Sequence, residues 1–228
     1  MLTWIALTSD AYAEAVEYSE QARVVAVTPQ DRNTALDAKG CALVLLRQTD
    51  LGSKLLEEVR QRCVFDGDLY RLVGYDGAIG VCKVLQGNIR EGIRFLEGAV
   101  SKREDEGYQA TADWYRLFLC EIYLEIIGGK EKPPILTLLK NMPVLIELMI
   151  TASSRVRAMV TQVLKNPQFD PEGYHIGHAQ MILGLLFKIK KNRALALQHL
   201  TEAKRILSPF GRTPMLTRLD AALAELGQ

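Results

Sequence analysis

Apolar residues recur at spacings of three and four along nearly the whole chain, which is the pattern of amphipathic α-helices. Turn-forming stretches interrupt the pattern at short intervals, and no Asn-Gly turn is flanked by alternating residues as in a β-hairpin. Because most breaks are short, neighbouring helices should pair as antiparallel hairpins. The pattern predicts about eleven or twelve helices and no strand, with N-caps at Asp31, Asp50, Asn88, Asn192 and Thr213.

A set of small and large residues repeats along this helical chain. Gly40 is followed by Gly52, Leu56 and Val59. At the same three intervals Gly80 is followed by Gly92, Leu96 and Ala99, and Gly184 by Ala196, Leu200 and Ala203. The step from Gly40 to Gly80, taken once more, reaches Cys120, where the second half of the pattern departs. The sequence therefore predicts a repeated helix hairpin.

Glycine inside a helix is the unusual part of this pattern, because it costs about 0.5–1 kcal/mol relative to alanine. We expect Gly80 in the first helix to face Gly92 in the second, so that the two backbones approach closely and Leu96 packs over the crossing. Burial of Leu-sized side chains, at about 1.5–3 kcal/mol each, would offset the cost of the glycines. The glycines are thus predicted to be packing residues.

These units resemble tetratricopeptide repeats, whose first helix carries a small residue and whose second helix carries a small and then a large one. The resemblance implies an all-α fold, a right-handed α-solenoid of antiparallel helix hairpins over residues 1–228. The step from Gly40 to Gly80 is longer than the family's usual repeat of about 34 residues. Leu43 and Lys83 also stand where the family has an aromatic residue, whereas Tyr123 and Phe187 fit. The expected units are repeats at 1–28, 31–66, 68–106 and 108–130, an irregular helical insert at 131–170, a repeat at 172–208 and a capping helix at 213–227.

Two longer stretches, residues 77–127 and 179–226, resemble the C-terminal helical region of large bacterial class III nucleotide cyclases. Those proteins combine a cyclase domain, an NTPase module and a tetratricopeptide tail. The resemblance implies that this chain corresponds to the tail alone and that its first residues begin inside a repeat, as in a truncated or split unit. It also makes cyclase and NTPase domains candidate partners.

Composition mainly excludes function classes. The apolar content of 48% supports a substantial core, and the net charge of +1 gives no electrostatic footprint of a nucleic-acid binder. The four cysteines form no Cys-x-x-Cys pair and fit buried thiols in a reducing compartment. The N-terminus lacks the basic segment of a signal peptide, and charged residues interrupt the apolar stretch at 133–150. We expect a cytoplasmic protein that binds neither a membrane nor nucleic acid.

No motif in the chain predicts catalysis. The string "GYDGAIG" at 74–80 has no preceding strand and the wrong spacing for a phosphate-binding loop, so helix-packing glycines are favoured. His175 and His178 are close in sequence, but two histidines without a further local ligand favour a helical first turn over a metal site. The basic run "KIKKNR" at 188–193 fits a solvated turn, and the carboxylates at 104–106 fit a solvated helix face. We therefore expect no enzymatic activity, no cofactor and no metal.

An interaction surface is the stronger candidate, because stacked hairpins form a concave groove lined by their first helices. Its expected partner-binding residues are Asp37, Trp114, Glu121, Glu125, His178 and Lys188. Trp114 is either an anchor in this groove or part of the core. The sequence thus predicts a non-catalytic regulatory module that binds a protein or peptide.

Besides an enzyme whose acid, base or metal cluster is assembled from distant helices, two alternatives stay open at this point. The first is a ligand or peptide sensor, which would need an enclosed apolar pocket with converging polar groups. The second concerns the apolar segment 133–166, which forms either a wider helical pair that fills a gap in the stack or an apolar docking surface.

Overall fold

The computed structural model describes residues 11–129, 135–211 and 213–227; predictions for residues 1–10 and 130–134 lie outside these ranges. Within them the chain is helical and has no strand, which confirms the all-α prediction. The helices are α1 (Tyr12–Val25), α2 (Pro29–Leu45), α3 (Thr49–Asp66), α4 (Leu69–Leu85), α5 (Ile89–Asp105), α6 (Gln109–Gly128), α7 (Ile135–Lys165), α8 (Tyr174–Ile189), α9 (Arg193–Leu207) and α10 (Pro214–Gly227). A 3₁₀ turn at Ser208–Phe210 follows α9.

The helices fall into two compact units, Met1–Lys102 and Arg103–Gln228. In the first unit α1 packs on α2, α2 on α3 and α3 on α4, and α2 also contacts α4. In the second unit consecutive helices pack from α6 to α10, while α6 contacts α8 and α8 contacts α10. Within each unit, therefore, the first helices of successive hairpins lie side by side, as in an all-α repeat fold.

One type of turn recurs along the chain. Residues with positive φ stand at the evenly spaced positions 47, 67, 87 and 107, and again at 191. In each turn the N–H of the positive-φ residue donates to the carbonyl three residues before it, and the N–H of the following residue donates to the carbonyl five residues before itself. In one example Gly87 N–H donates to Val84 O at 2.9 Å and Asn88 N–H donates to Lys83 O at 2.7 Å. Arg47 and Lys191 adopt this conformation without being glycine. Two successive turns enclose one helix, so two such steps span one hairpin and give the period that separates Gly40 from Gly80 in the sequence.

The glycines at the helix crossings lie against each other, as predicted. A Cβ atom built on Gly92 would lie 2.5 Å from the carbonyl oxygen of Gly80, and one built on Gly52 would lie 2.7 Å from that of Gly40. Leu96 packs over the Gly80–Gly92 crossing and is fully buried. Only a residue without a side chain allows the two backbones to come this close, so the crossing explains the helical glycines.

The segment after α6 forms one long helix and not the wider helical pair considered above. α7 runs for 31 residues and passes through Pro143, which has no N–H to donate to the preceding turn. The buried side of the helix runs across the proline and comprises Asn141, Val144, Leu148, Ala152 and Val156. This continuous packing holds the helix together where the local signal indicates a break.

Helix starts follow the predicted capping chemistry, with a shift at two of them. Asn192 and Thr213 cap α9 and α10, since each side-chain oxygen accepts an N–H from the first turn at 3.2 Å. The predicted cap Asp31 is instead the third residue of α2; Thr28 is the N-cap, and the two residues form a capping box. Asp50 lies in the first turn of α3 and does not cap it.

Candidate interaction site

Five of the six predicted groove residues lie in the second unit. Trp114, Glu121 and Glu125 are on α6, and His178 and Lys188 are on α8, which packs on α6. The sixth, Asp37, is on α2 in the first unit. We call the side formed by α6, α8 and α10 that carries these five residues, Arg218 and Glu225 the first-helix surface.

A single carboxylate connects the three helices of this surface. Glu121 Oε1 lies 2.9 Å from His178 Nε2, and Arg218 Nη1 donates a hydrogen bond to Glu121 Oε2 at 2.6 Å. The Glu121 side chain is 18% exposed, so these contacts are only partly screened by solvent. Burial alone would raise the pKa of Glu121, but the hydrogen bond and charge of His178 and the charge of Arg218 outweigh it and lower this pKa to about 2. Glu121 is therefore held as a carboxylate between two donors.

Sequence reasoning missed the contribution of α10. Arg218 bonds to Glu121 from a distant part of the chain, and Glu225, on the same helix, forms an ion pair with Lys188. A signal was present, since Arg218 follows His178 at the same interval that separates Gly40 from Gly80. The helix expected to act as a cap therefore also contributes side chains to the first-helix surface.

Trp114 lies at the surface, and its side chain belongs to an aromatic cluster on α6. The residue is 36% exposed, and its ring packs against Phe118 at 4.9 Å and Tyr115 at 5.8 Å between centroids. Trp114 precedes Glu121 by two helical turns, about 10 Å along α6. The first-helix surface thus has an aromatic end and a charged end.

Behind this surface a buried polar network fixes α6. Arg116 is buried and pairs with both Asp113 and Glu104, and Asn166 donates a hydrogen bond to Asp113 Oδ2 at 2.6 Å. Glu104 is exposed, as predicted for a solvated helix face, and its carboxylate also pairs with this buried guanidinium. These contacts tie α6 to the residue that follows α7, so they set the direction in which Trp114 and Glu121 point.

Asp37 has a different environment in the first unit. Cys41 Sγ lies 3.6 Å from its Oδ1, and the residue is half-buried. Burial raises the pKa of Asp37 to about 7, against the opposing effects of the Cys41 hydrogen bond and the Arg71 charge. Burial also raises the pKa of the Cys41 thiol well above its usual range, so this thiol is protonated and unsuited to nucleophilic chemistry.

The two neighbouring histidines serve different contacts. His175 stacks on Phe169 with 4.7 Å between ring centroids, whereas His178 bonds to Glu121. Among the described residues no group of three or more His, Cys, Asp or Glu side chains is placed to hold a metal ion. In the same part of the chain no helix has the length and apolarity of a bilayer span.

A surface depression of about 490 Å³ lies between α2 and α3 in the first unit. Arg62 crosses it and donates a hydrogen bond to Asn33 Oδ1 at 2.9 Å, while Phe65 at its edge is 92% exposed. The depression is lined by Pro29, Asn33, Glu58, Gln61, Arg62, Phe65 and Asp66. This depression is open to solvent, unlike the enclosed pocket expected of a small-molecule sensor.

No protein-family model matches this chain, and no curated protein matches it. The tetratricopeptide and cyclase resemblances therefore rest on the sequence pattern alone.

Proposed function

We propose that this chain is a non-catalytic protein-interaction module of tetratricopeptide-like hairpins, related to the regulatory tail of a nucleotide cyclase signalling protein. The single observation that carries the proposal is the first-helix surface, where Glu121 joins three successive first helices beside the exposed ring of Trp114. A surface assembled from several repeats presents fixed side chains over a length suited to a polypeptide segment.

The chemistry of this surface defines the partner segment. The exposed Trp114 ring offers an amphipathic anchor for an apolar or aromatic side chain, which is the commonest kind of interaction hot spot. The Glu121, His178 and Arg218 cluster, about two turns away, offers both acceptor and donor groups. We expect a segment that carries an apolar side chain and, about 10 Å away, a charged or hydrogen-bonding group.

The first experiment is affinity capture from a bacterial lysate with the purified chain and four variants. Trp114→Ala removes the anchor, and Glu125→Lys reverses a charge on the same helix. Phe65→Ala is the matched control for loss of an exposed aromatic ring, and Lys165→Glu controls for a charge change on α7. The proposal expects one partner that is retained by both controls and lost with both site variants, all four having wild-type circular dichroism.

Capture that is indifferent to Trp114→Ala and Glu125→Lys would contradict the assignment of the surface. The non-catalytic part has its own test, which is incubation of the purified chain with ATP or GTP and assay for cyclic nucleotide and free phosphate. Turnover above a heat-denatured sample would refute it.

A further inference from the structure

A stripe of large apolar side chains on the first half of α7 is exposed. It comprises Leu138, Leu139, Met142, Ile146, Met149 and Ile150, which we call the α7 stripe. Their exposed fractions range from 38% to 76%, whereas Val144 and Leu148, on the other side of the same turns, are buried. Exposed single apolar residues are ordinary, but six on adjacent turns of one helix form a continuous patch.

The spacing within the α7 stripe is the same in both directions. The intervals between successive members are one, three, four, three and one, so the pattern is symmetric about position 144. At about 100° per residue all six lie within about 60° of one direction, while Lys140 and Glu147 lie on the other side of the helix. The segment 138–150 therefore presents an uncharged face whose two halves are equivalent.

This symmetry fits one kind of partner in particular. When two copies of a helix pack antiparallel around a two-fold axis, each position before the centre meets the matching position after the centre in the other copy. In the α7 stripe Leu138 would meet Ile150, Leu139 would meet Met149, and Met142 would meet Ile146 of the second copy. Every pair joins two large apolar side chains.

The exposed area is also sufficient for self-association. The six side chains together equal about three fully exposed ones, or roughly 600 Å² of apolar surface, at the upper end for a patch on a monomer. Two facing stripes would bury roughly 1,200 Å², which reaches the lower limit of specific protein interfaces.

We propose that the α7 stripe is a dimerisation surface, occupied by the α7 stripe of a second copy of this chain in an antiparallel, two-fold arrangement. The inference is independent of the partner bound at the first-helix surface, because it uses different side chains on a different helix.

Sedimentation analysis of the full chain between about 1 and 100 μM tests whether a second copy of the chain covers the α7 stripe. We expect a concentration-dependent dimer in the wild type. Ile146→Asp enters the two-fold interface twice and should weaken the dimer at least about 100-fold. Ala158→Asp, which places the same charge at an exposed position of α7 outside the stripe, should leave the dimer unchanged. A wild-type monomer throughout this range, or equal dimers in both variants, would overturn the proposal.

Cysteine cross-linking tests the orientation. Positions 139 and 149 lie about 15 Å apart along one helix, so a disulfide within one chain is excluded. In the antiparallel dimer the double variant Leu139→Cys/Met149→Cys should form covalent dimers under mild oxidation. Neither single variant should form covalent dimers, and the single variants also control for reaction at the four native cysteines. Cross-linking in the single variants would indicate a parallel pair and contradict the two-fold arrangement.

Discussion

Two glycines of α5 should respond to the same substitution with opposite signs. Gly92 lies at the crossing with α4, where an alanine Cβ would be 2.5 Å from Gly80 O and 2.6 Å from Val84 Cγ2. Gly98 lies on the same helix with no atom within 4 Å of its Cβ position, and it is exposed. Gly92→Ala and Gly98→Ala therefore have the same helix propensity change and differ only in packing.

The magnitudes follow from two competing terms. Alanine in place of a helical glycine stabilises by about 0.5–1 kcal/mol, which is the full expectation for Gly98→Ala. At Gly92 the clash is with backbone of α4, so the two helices must separate and the packing of Leu96 over the crossing is loosened. Overpacking of this kind costs about 1–3 kcal/mol, and we expect Gly92→Ala to be destabilised by about 1–2 kcal/mol after the propensity gain.

Urea denaturation followed by circular dichroism measures both variants against the wild type. The account predicts a lower midpoint for Gly92→Ala and a higher one for Gly98→Ala, with similar slopes. Equal midpoints, or a gain in stability for Gly92→Ala, would refute the idea that the glycines exist to allow a close helix crossing.

The remaining predictions concern one core residue and two titrating ones. Leu96→Asp places a charge at a fully buried position and should abolish the urea transition of the first unit, whereas the control Leu96→Met should cost less than about 1.5 kcal/mol. A near-wild-type urea midpoint for Leu96→Asp would refute the repeat register. The pKa of Glu121 is about 2 in the folded chain against a reference value of 4.5, so the stabilisation by its carboxylate is present above pH 4.5 and is lost as the pH falls towards 2. The difference in unfolding free energy between the wild type and Glu121→Gln should therefore shrink between about pH 5.5 and pH 3 in urea titrations, and a constant difference would contradict this. The pKa of Asp37 shifts the other way on folding, from 3.8 to about 7, so the wild type loses stability as the pH rises through this range. Asp37→Asn should be more stable than the wild type at about pH 8 but not at about pH 4, and the same stability difference at both pH values would contradict this.

The helical repeat could be predicted from the sequence because its signals are local. The small residues at Gly80 and Gly92 and the repeat period follow from contacts within one hairpin. The long helix α7 was harder to predict from the sequence, because Pro143 is a local helix breaker and its cost is offset by packing against other helices. The cap at Thr28 was missed in favour of Asp31, because both residues take part in the same capping box.

The candidate site could be predicted only in part, because its contacts join distant helices. The repeat register placed Glu121 and His178 on adjacent first helices, and they are in contact. Arg218 was missed because it lies on the helix expected to be only a cap. The ion pair of Glu104 was missed for a similar reason: its exposed position does not reveal the buried Arg116 that it contacts.

Calorimetric titration of the captured partner with wild type, Trp114→Ala and Phe65→Ala tests the central claim most directly. The account predicts that Trp114→Ala weakens binding at least about 10-fold, because the anchor ring is lost, while Phe65→Ala stays within about 2-fold of the wild type. Equal affinities for wild type and Trp114→Ala, or a loss confined to Phe65→Ala, would contradict the assignment of the first-helix surface as the partner-binding site.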